Sequence, residues 1–420
     1  MVPRDKTSSN DITIRPAARG VSGFDDENGW PALGAESVPW EPRTQYASLP
    51  GQRSVFGSYQ AAVPPKIAKL AAVPLSSTTL GLATHASADI ARFDAEFGDD
   101  VAPFAAILLR TESVASSRIE NLTASAKAIA LAEAGDTSRK NARVIVANTQ
   151  AMKAAIVLAN ELDASAILAM HDALLRESAP EYAGKWRQEP VWIGGGDISP
   201  HEADFVPPSW GRVEPAIDDL VLFMARDDLP PLVQAAIAHA QFETIHPFLD
   251  GNGRTGRALV QSLLRAKHLT RKVTVPVSAG LLTNTETYFD ALTSYRRGDP
   301  DPIVALMAKA SYAAINNGHQ LVTELRGLRA EWGDRITARR GSGPRRVAEL
   351  LLGQPVVDSP MLQRELGMAE NTALAAIARL VEDGVLTKFS GKMRNRRYGA
   401  NEVLKCLDDF AVRAGRRGGF

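Results

Sequence analysis

Cysteine is almost absent: Cys406 stands alone in 420 residues, so neither an internal disulfide framework nor a cysteine-built zinc site is available. Long apolar runs are missing too. No stretch approaches 18 consecutive apolar residues, and no membrane span is expected. The opening MVPRDKTSSN lacks the apolar segment of a secretory leader, which makes the cytoplasm the expected compartment. There is no net charge: 48 Lys+Arg balance 48 Asp+Glu, so the whole chain is neither a basic nucleic-acid coat nor an acidic chaperone. No G-x-x-x-x-G-K-[ST] occurs, which argues against a P-loop ATPase. Internal repeats and low-complexity runs are not evident.

What remains is an ordinary globular composition, 45% apolar and 23% charged, enough for a sizeable core and for two or three domains. The neutral total hides an asymmetry. From Arg326 onward there are 18 Lys/Arg against 11 Asp/Glu, a net of +7, and the first 325 residues carry the matching −7. Either a separate module faces a polyanion or acidic partner, or the excess is a solvated basic tail ending in GRRGGF.

Residues 1–62 are rich in Gly, Pro, Ser and Asp without sustained period and read as an extended or loosely ordered arm, docked by Trp30, Trp40 and Phe56. Apolar residues then recur at helical spacing over 84–97, 105–131, 141–158, 164–176, 213–226, 231–244, 255–266, 284–296 and 301–326. Between Gly184 and Pro208, KWRQEPVWI and ADFV read as strands around a Gly-rich tip, a hairpin. The fold class expected is mainly α: a helical bundle with one β-hairpin. After the linker candidate RRGSGPRR (339–346), two short helices, a longer one and a ribbon turning at Ser390-Gly391 follow the order of a winged helix-turn-helix. The expected domains are the arm (1–62), an N-terminal helical region (63–135), a core (136–325), a linker helix and loop (326–343) and the winged module with its tail (344–420).

The chemistry concentrates in TIHPFLDGNGRTGR, residues 244–257. Gly251, Asn252 and Gly253 form a turn that can expose backbone N–H groups, and the period of Leu259, Val260, Leu263 and Leu264 starts a helix there. Such N–H groups bind phosphate oxygens. Arg254 and Arg257, three apart, leave one face of the first turn, and two guanidinium forks suit a polyphosphate. Asp250 supplies a hard oxygen for Mg²⁺, and His246 is the natural general base for a hydroxyl nucleophile. GNGRTG also fits the dinucleotide fingerprint G-x-G-x-x-G. However, no strand precedes it, and Leu269–Val275 offers no acid for a ribose. The plain alternative is a glycine-rich loop with solvated arginines.

HPFLDGNGRTGR resembles the signature of the Fic family, H-P-F-x-[D/E]-G-N-G-R-x-x-R, with every set position filled. The similarity runs over about residues 105–325. The resemblance implies a small helical bundle, and ATP as the substrate that donates AMP to a Ser, Thr or Tyr hydroxyl of a protein with release of pyrophosphate. It gives His246 the target proton and Asp250 the Mg²⁺. Gly251, Asn252 and Gly253 would cradle the α- and β-phosphates, with Arg254 and Arg257 on the β/γ end. Tyr288 and Tyr295 fall where the family often contacts adenine; core packing is the alternative. Trp192, Ile193 and Gly194 would lie on a flap that pairs with target backbone. Ser116, Glu120 and Asn121 in SSRIEN fit the family's inhibitory pattern, [S/T]-x-x-x-E-[G/N]. A Glu120 carboxylate paired with Arg257 would occupy the γ-phosphate's place. An ordinary surface glutamate is the alternative, and in some members the same residue supports AMP removal.

His239 and His171 read as structural histidines, and His201-Glu202 near Asp204 as loop polarity or a metal pair. In the module the helix at 369–383 presents Glu370, Asn371, Thr372 and Arg379, and the wing Lys388, Lys392, Arg394, Arg396 and Arg397. A basic wing suits DNA phosphates, whereas the alanine-rich helix suits docking of a protein or a second copy. Two functions therefore stand: a self-restrained AMP transferase, or a nucleotide-sensing DNA-binding regulator. Within the enzyme class another nucleotide donor, a phosphocholine donor or AMP removal stays open.

Overall fold

Short polar side chains mark where helices begin. The computed structural model describes residues 29–40, 57–97, 102–196, 199–390 and 396–415. Ser76 accepts from Thr79 N–H to open α1 (Ser77–Ala95), and Ser125 does the same for Ala128 N–H in α3 (Ala126–Glu133). Such caps satisfy N–H groups that the helix cannot. Between them runs α2 (Ala102–Ile119). The body continues through α4 (Lys140–Val157), α5 (Ala164–Leu175), α6 (Val213–Met224), α7 (Pro231–Ile245), α8 (Asn252–Ala266), α9 (Val277–Leu281), α10 (Thr285–Arg296) and α11 (Asp301–Arg335). No helix among the described residues is long and apolar enough to cross a membrane.

The core sits around α7, where every residue from Leu232 to Ile245 is buried. A helix enclosed on all sides shows no amphipathic period, so its polar residues need internal partners. Gln234 Nε2 donates to the Phe223 carbonyl at 2.8 Å, and Thr244 Oγ1 to that of Ala240 at 2.8 Å. Helices α1, α6, α8, α10 and α11 surround it.

One expected helix is two. The periodic stretch 105–131 breaks between Ile119 and Ala126, because Asn121 takes a left-handed conformation at φ 59° and Leu122 N–H folds back onto the Ser117 carbonyl at 3.0 Å. Asparagine tolerates that conformation better than most residues. The break puts Glu120 on an exposed turn rather than on a helix.

The arm expected over 1–62 contains, in its described part, a regular hairpin. Strands β1 (Gly34–Trp40) and β2 (Gly57–Val63) pair antiparallel with Gly34 opposite Val63. Their pattern was masked by Pro39 and by small residues that carry little β signal. Trp40 lies edge-on to Trp192 at 5.6 Å, and Trp30 is buried beside Tyr295 at 5.8 Å; Phe56 lies outside the described residues. The hairpin expected over Gly184–Pro208 is reduced to one antiparallel bridge, Ile193 with Phe205, bonded at 2.9 and 3.1 Å. Positive φ at Gly194 and Gly195 and a short 3₁₀ turn at Pro200–Glu202 stop the ladder there. The Val206 carbonyl instead accepts from Ala62 N–H of β2 at 3.0 Å.

After α11 come α12 (Gly343–Gly353), β3 (Val356–Val357), α13 (Ser359–Leu366), α14 (Glu370–Glu382), β4 (Thr387–Ser390), β5 (Arg397–Gly399) and α15 (Asn401–Ala414). The three strands are antiparallel in the order β3-β5-β4. The turn at Gly391, with Lys392 and Arg394, and the GRRGGF end from Arg416 lie outside the described residues. Helix α15, not anticipated from the sequence, buries Val403, Leu404, Leu407, Phe410 and Ala414.

Two glycines test the packing. A Cβ on Gly280 in α9 would stand 2.1 Å from the Ala310 carbonyl oxygen, and backbone cannot yield as a side chain can. On Gly327 in α11 it would meet nothing within 4 Å. Gly280→Ala is expected to lower the melting temperature, at a cost of about 1–3 kcal/mol. Gly327→Ala is expected to raise it slightly, by about 1 kcal/mol of helix propensity. Thermal unfolding of both variants checks the pair.

Candidate active site

The loop from His246 to Gly251 links α7 to α8, and both ends are left-handed: His246 at φ 50°, Gly251 at φ 81°. A histidine in that region is strained, and its surroundings hold it there. Arg187, buried, donates Nε to the His246 carbonyl at 2.8 Å and Nη2 to that of Pro208 at 2.6 Å. Its backbone N–H reaches the Pro247 carbonyl at 3.0 Å. Asn252 closes the loop on itself, accepting from Phe248 N–H and donating to the Phe248 carbonyl, each at 2.8 Å. His171 accepts from Gly184 N–H at Nδ1, so its Nε2 carries the proton and donates to the Asp250 carbonyl at 3.0 Å. Its ring stacks on Phe248 at 3.6 Å.

The arginines diverge in their partners. Arg257, 2% exposed, donates Nε to Ser116 Oγ at 2.9 Å, and Nη2 to the Ser116 carbonyl at 2.9 Å and to Glu120 Oε1 at 2.8 Å. The Glu120 carboxylate lies on the first turn of α8: a Cβ on Gly253 would come within 2.1 Å of its Oε1. Here an anion occupies a helix N-terminus. Arg254, 4% exposed, gives Nη2 to Asp250 at 3.2 and 3.3 Å. Its Nε and Nη1 are buried without a hydrogen-bond partner among the described residues. Asp250 is otherwise open to solvent and accepts from Gly251 N–H at 2.6 Å.

Burial dominates the electrostatics. His246 is held neutral, its pKa lowered to about 3 by burial and by the nearby charges of Arg296 and Arg187. His239 is likewise lowered to about 3 by burial and by Arg257. Glu243, which lies 3.9 Å from His246 Nδ1, is raised to about 7 by burial against the pull of Arg257. Burial works against the charge of Arg257, but Glu120, Tyr288 and Glu243 together outweigh it and raise its proton affinity.

Thus Ser116, Glu120, Gly253 and Arg257 meet at one place, with Asp250, Gly251 and Arg254 beside it and His246 at the far end of the loop. Asn121 follows Glu120 and supplies the left-handed turn there. The Asn252 side chain is spent on Phe248, which leaves its backbone N–H for the expected cradle. Tyr288, expected near a nucleotide base, is 1% exposed. Its hydroxyl bonds His239 Nε2 at 2.8 Å, the arrangement of a residue packed in the core. In the segment Trp192, Ile193 and Gly194, expected on a flap, Ile193 makes the one antiparallel bridge with Phe205, Trp192 Nε1 donates to the Gly196 carbonyl at 2.8 Å, and Gly194 abuts the Asp204 carboxylate. Among the described residues no group of three His, Cys, Asp or Glu is placed to hold a metal. His201 bonds Ser199 rather than an acid.

Arg187, Glu243 and Arg296 escaped the sequence reading. Each acts across more than fifty residues or from the buried side of α7, and an isolated arginine in KWRQEP carries no local pattern.

Residues 161–264 match the Fic/DOC family and residues 80–157 match Fic/DOC family N-terminal. The chain is similar to the protein adenylyltransferase fic-1 of Caenorhabditis elegans, 32% identical over 159 residues, covering 37% of this chain and 28% of that one. It is also similar to the protein adenylyltransferase Fic of Drosophila grimshawi, 32% identical over 176 residues, covering 39% and 32%. The similarity therefore spans less than a third of those relatives' length. A crystal structure of a Fic family protein from Desulfovibrio desulfuricans G20 overlaps 78% of this chain and 97% of its own, at 22% identity and a TM-score of 0.49. The two matched stretches, with the fully filled loop signature between α7 and α8, place the likeness to the Fic/DOC family on residues 80–264 of this chain.

Proposed function

We propose that the chain is a self-restrained protein AMP transferase that moves AMP from ATP to a Ser, Thr or Tyr hydroxyl of a protein target, itself included. One observation carries the reading: the buried Arg254 guanidinium holds two donors without partners at the entrance of α8. Buried donors are almost always satisfied, and a charged one left unpaired costs several kcal/mol. A phosphate oxygen is the partner that a helix N-terminus and a second arginine both favour. The adenylyltransferase names of the relatives agree with it.

In this mechanism His246, kept neutral, takes the proton of the acceptor hydroxyl, whose oxygen then attacks the α-phosphorus as the bond to pyrophosphate breaks. The N–H groups at Asn252 and Gly253 and the Arg254 fork face the charge that builds there. Mg²⁺ fits the exposed Asp250 carboxylate, a hard oxygen that would share the ion with phosphates and water; the ion would neutralise phosphate charge. Glu120 is the restraint, because its carboxylate already holds Arg257 and rests on Gly253. The cytoplasm is the setting this reading implies.

The module from about residue 344 is proposed to be a winged helix. Its element order and three-stranded sheet support that. The outer face of α14 shows Leu374, 46% exposed, and Val381, 40% exposed, together with Ala375 and Ala378. That face favours a protein partner or a second copy over base readout.

Incubation with labelled ATP and Mg²⁺ tests the core of the proposal. Glu120→Gly is expected to raise self-labelling about tenfold or more, as loss of a charge-assisted pair allows. His246→Ala is expected to lower it by about 10²–10⁴. Labelling that survives in His246→Ala would end the assignment of the base, and equal labelling of wild type and Glu120→Gly would end that of the restraint.

The depressed His246 pKa has its own signature. A histidine of ordinary pKa would lose about thirtyfold in base form between pH 8 and pH 5, whereas His246 at about 3 stays unprotonated throughout. The Glu120→Gly chain should label at a rate free of an acid limb near pH 6.5. Such a limb, persisting when Glu243→Gln is added, would show an ordinary solvated imidazole.

A further inference from the structure

We infer that helix α15 is a bracket that holds the Glu120 turn in place, so the C-terminal module sets the strength of the restraint. The inference rests on the reading of Glu120 as a restraint. It starts from geometry on the side of α2 turned away from Arg257. Ser116 and Glu120 face α8. Arg118, half a turn from both, points the other way and donates Nη1 to the Ala411 carbonyl. Ala411 lies in the last turn of α15, where a cation is favoured; its carbonyl accepts from Gly415 N–H at 3.2 Å as well. Arg118 Nη2 also lies against Gly415, 2.7 Å from where a Cβ would stand.

The far side of the turn is tied to the same helix. Ala126 N–H, the first of α3, donates to Asp408 Oδ1 at 2.9 Å. Residues 408, 411 and 415 share one face of α15. The break that carries Glu120 is thus gripped before and after by one rigid rod. The grip extends along α3: Lys127 lies over the Phe389 ring of β4 at 4.0 Å. Arg397 of β5 donates to the Ala134 carbonyl at 2.8 Å. Between the helices, Val114, Ala115, Leu407, Phe410 and Ala414 leave a cavity of only about 30 Å³, so a shift of α15 is transmitted rather than absorbed. On the other face α2 is pinned at Glu112, whose carboxylate accepts from Ser278 N–H and Oγ–H at 2.9 and 2.6 Å. The last turn of α2 is therefore the part free to respond.

The test uses the full chain. Arg118→Met keeps the aliphatic stem and removes the fork; Asp408→Ala removes the acceptor and suits a helix. The double variant is expected to speed amide exchange over residues 113–126 and to raise self-labelling about tenfold. Added to Glu120→Gly it should change labelling less than twofold, because both act through the same carboxylate. Lys405→Met, also on α15, should change neither readout. Unchanged exchange over 113–126 in the double variant would overturn the bracket. So would an equal rise on the Glu120→Gly background, since the module would then act elsewhere. Should Glu120→Gly itself fail to raise labelling, the restraint reading falls, and the exchange data alone decide whether α15 holds the turn.

Discussion

A single buried cation organises this molecule. Arg257 leaves the first turns of α8, is 2% exposed, and requires anionic or carbonyl oxygens wherever its donors point. It takes them from Ser116 and Glu120, and that demand draws the end of α2 across the mouth of the α7–α8 loop. The pair is asymmetric. Glu120 is about 40% exposed in its side chain and can return to water at modest cost, whereas Arg257 cannot. Opening the turn with nothing to replace the carboxylate would strand a buried charge; opening it as another anion arrives would not.

The loop itself is held by many small constraints. His246 sits in a conformation that a histidine avoids, at a cost of about 1–3 kcal/mol, and the bonds from Arg187, Asn252 and His171 to the surrounding carbonyls offset it. The same burial that supplies these bonds removes the proton from the imidazole. A base at a set position and a base in the correct protonation state therefore have one cause. His171 and Asn252 contribute by positioning backbone, and neither needs to touch a substrate to matter.

Much of this was legible in the sequence, for physical reasons that differ by element. Helices with a polar face, such as α4 and α6, announced themselves by period. The start of α8 was legible because Gly251 breaks the chain and a leucine stripe follows. The contact of Glu120 with Arg257 was reachable only through the family pattern, since 137 residues separate them. The break at Asn121 was not legible: apolar period continues through 119–131, and a left-handed asparagine leaves no period of its own. The strands β1 and β2 were missed because their residues are small and their stability comes from docking on Trp192 and Val206. Tyr288 was left open between a base contact and core packing because tyrosine suits both. Only the position of His239 decides between them.

The position of α2 makes its C-terminal turn the natural place for control. A helix transmits force along its axis, yet α2 is anchored midway by Glu112 on α9 and by Arg110, which donates to Glu133 and to Gln354. Motion at its N-terminal end is therefore blocked before it reaches residue 120. What can still move Glu120 must act beyond those anchors, on the stretch from Ser116 to Ser125. Among the described residues, the surfaces that touch that stretch are α8, through Arg257, α4, through Asn148, and α15. Of the three, α4 and α8 belong to the buried body, and α15 alone is the end of a module with exposed faces of its own. A signal arriving from outside the body has the fewest packed layers to cross if it arrives there.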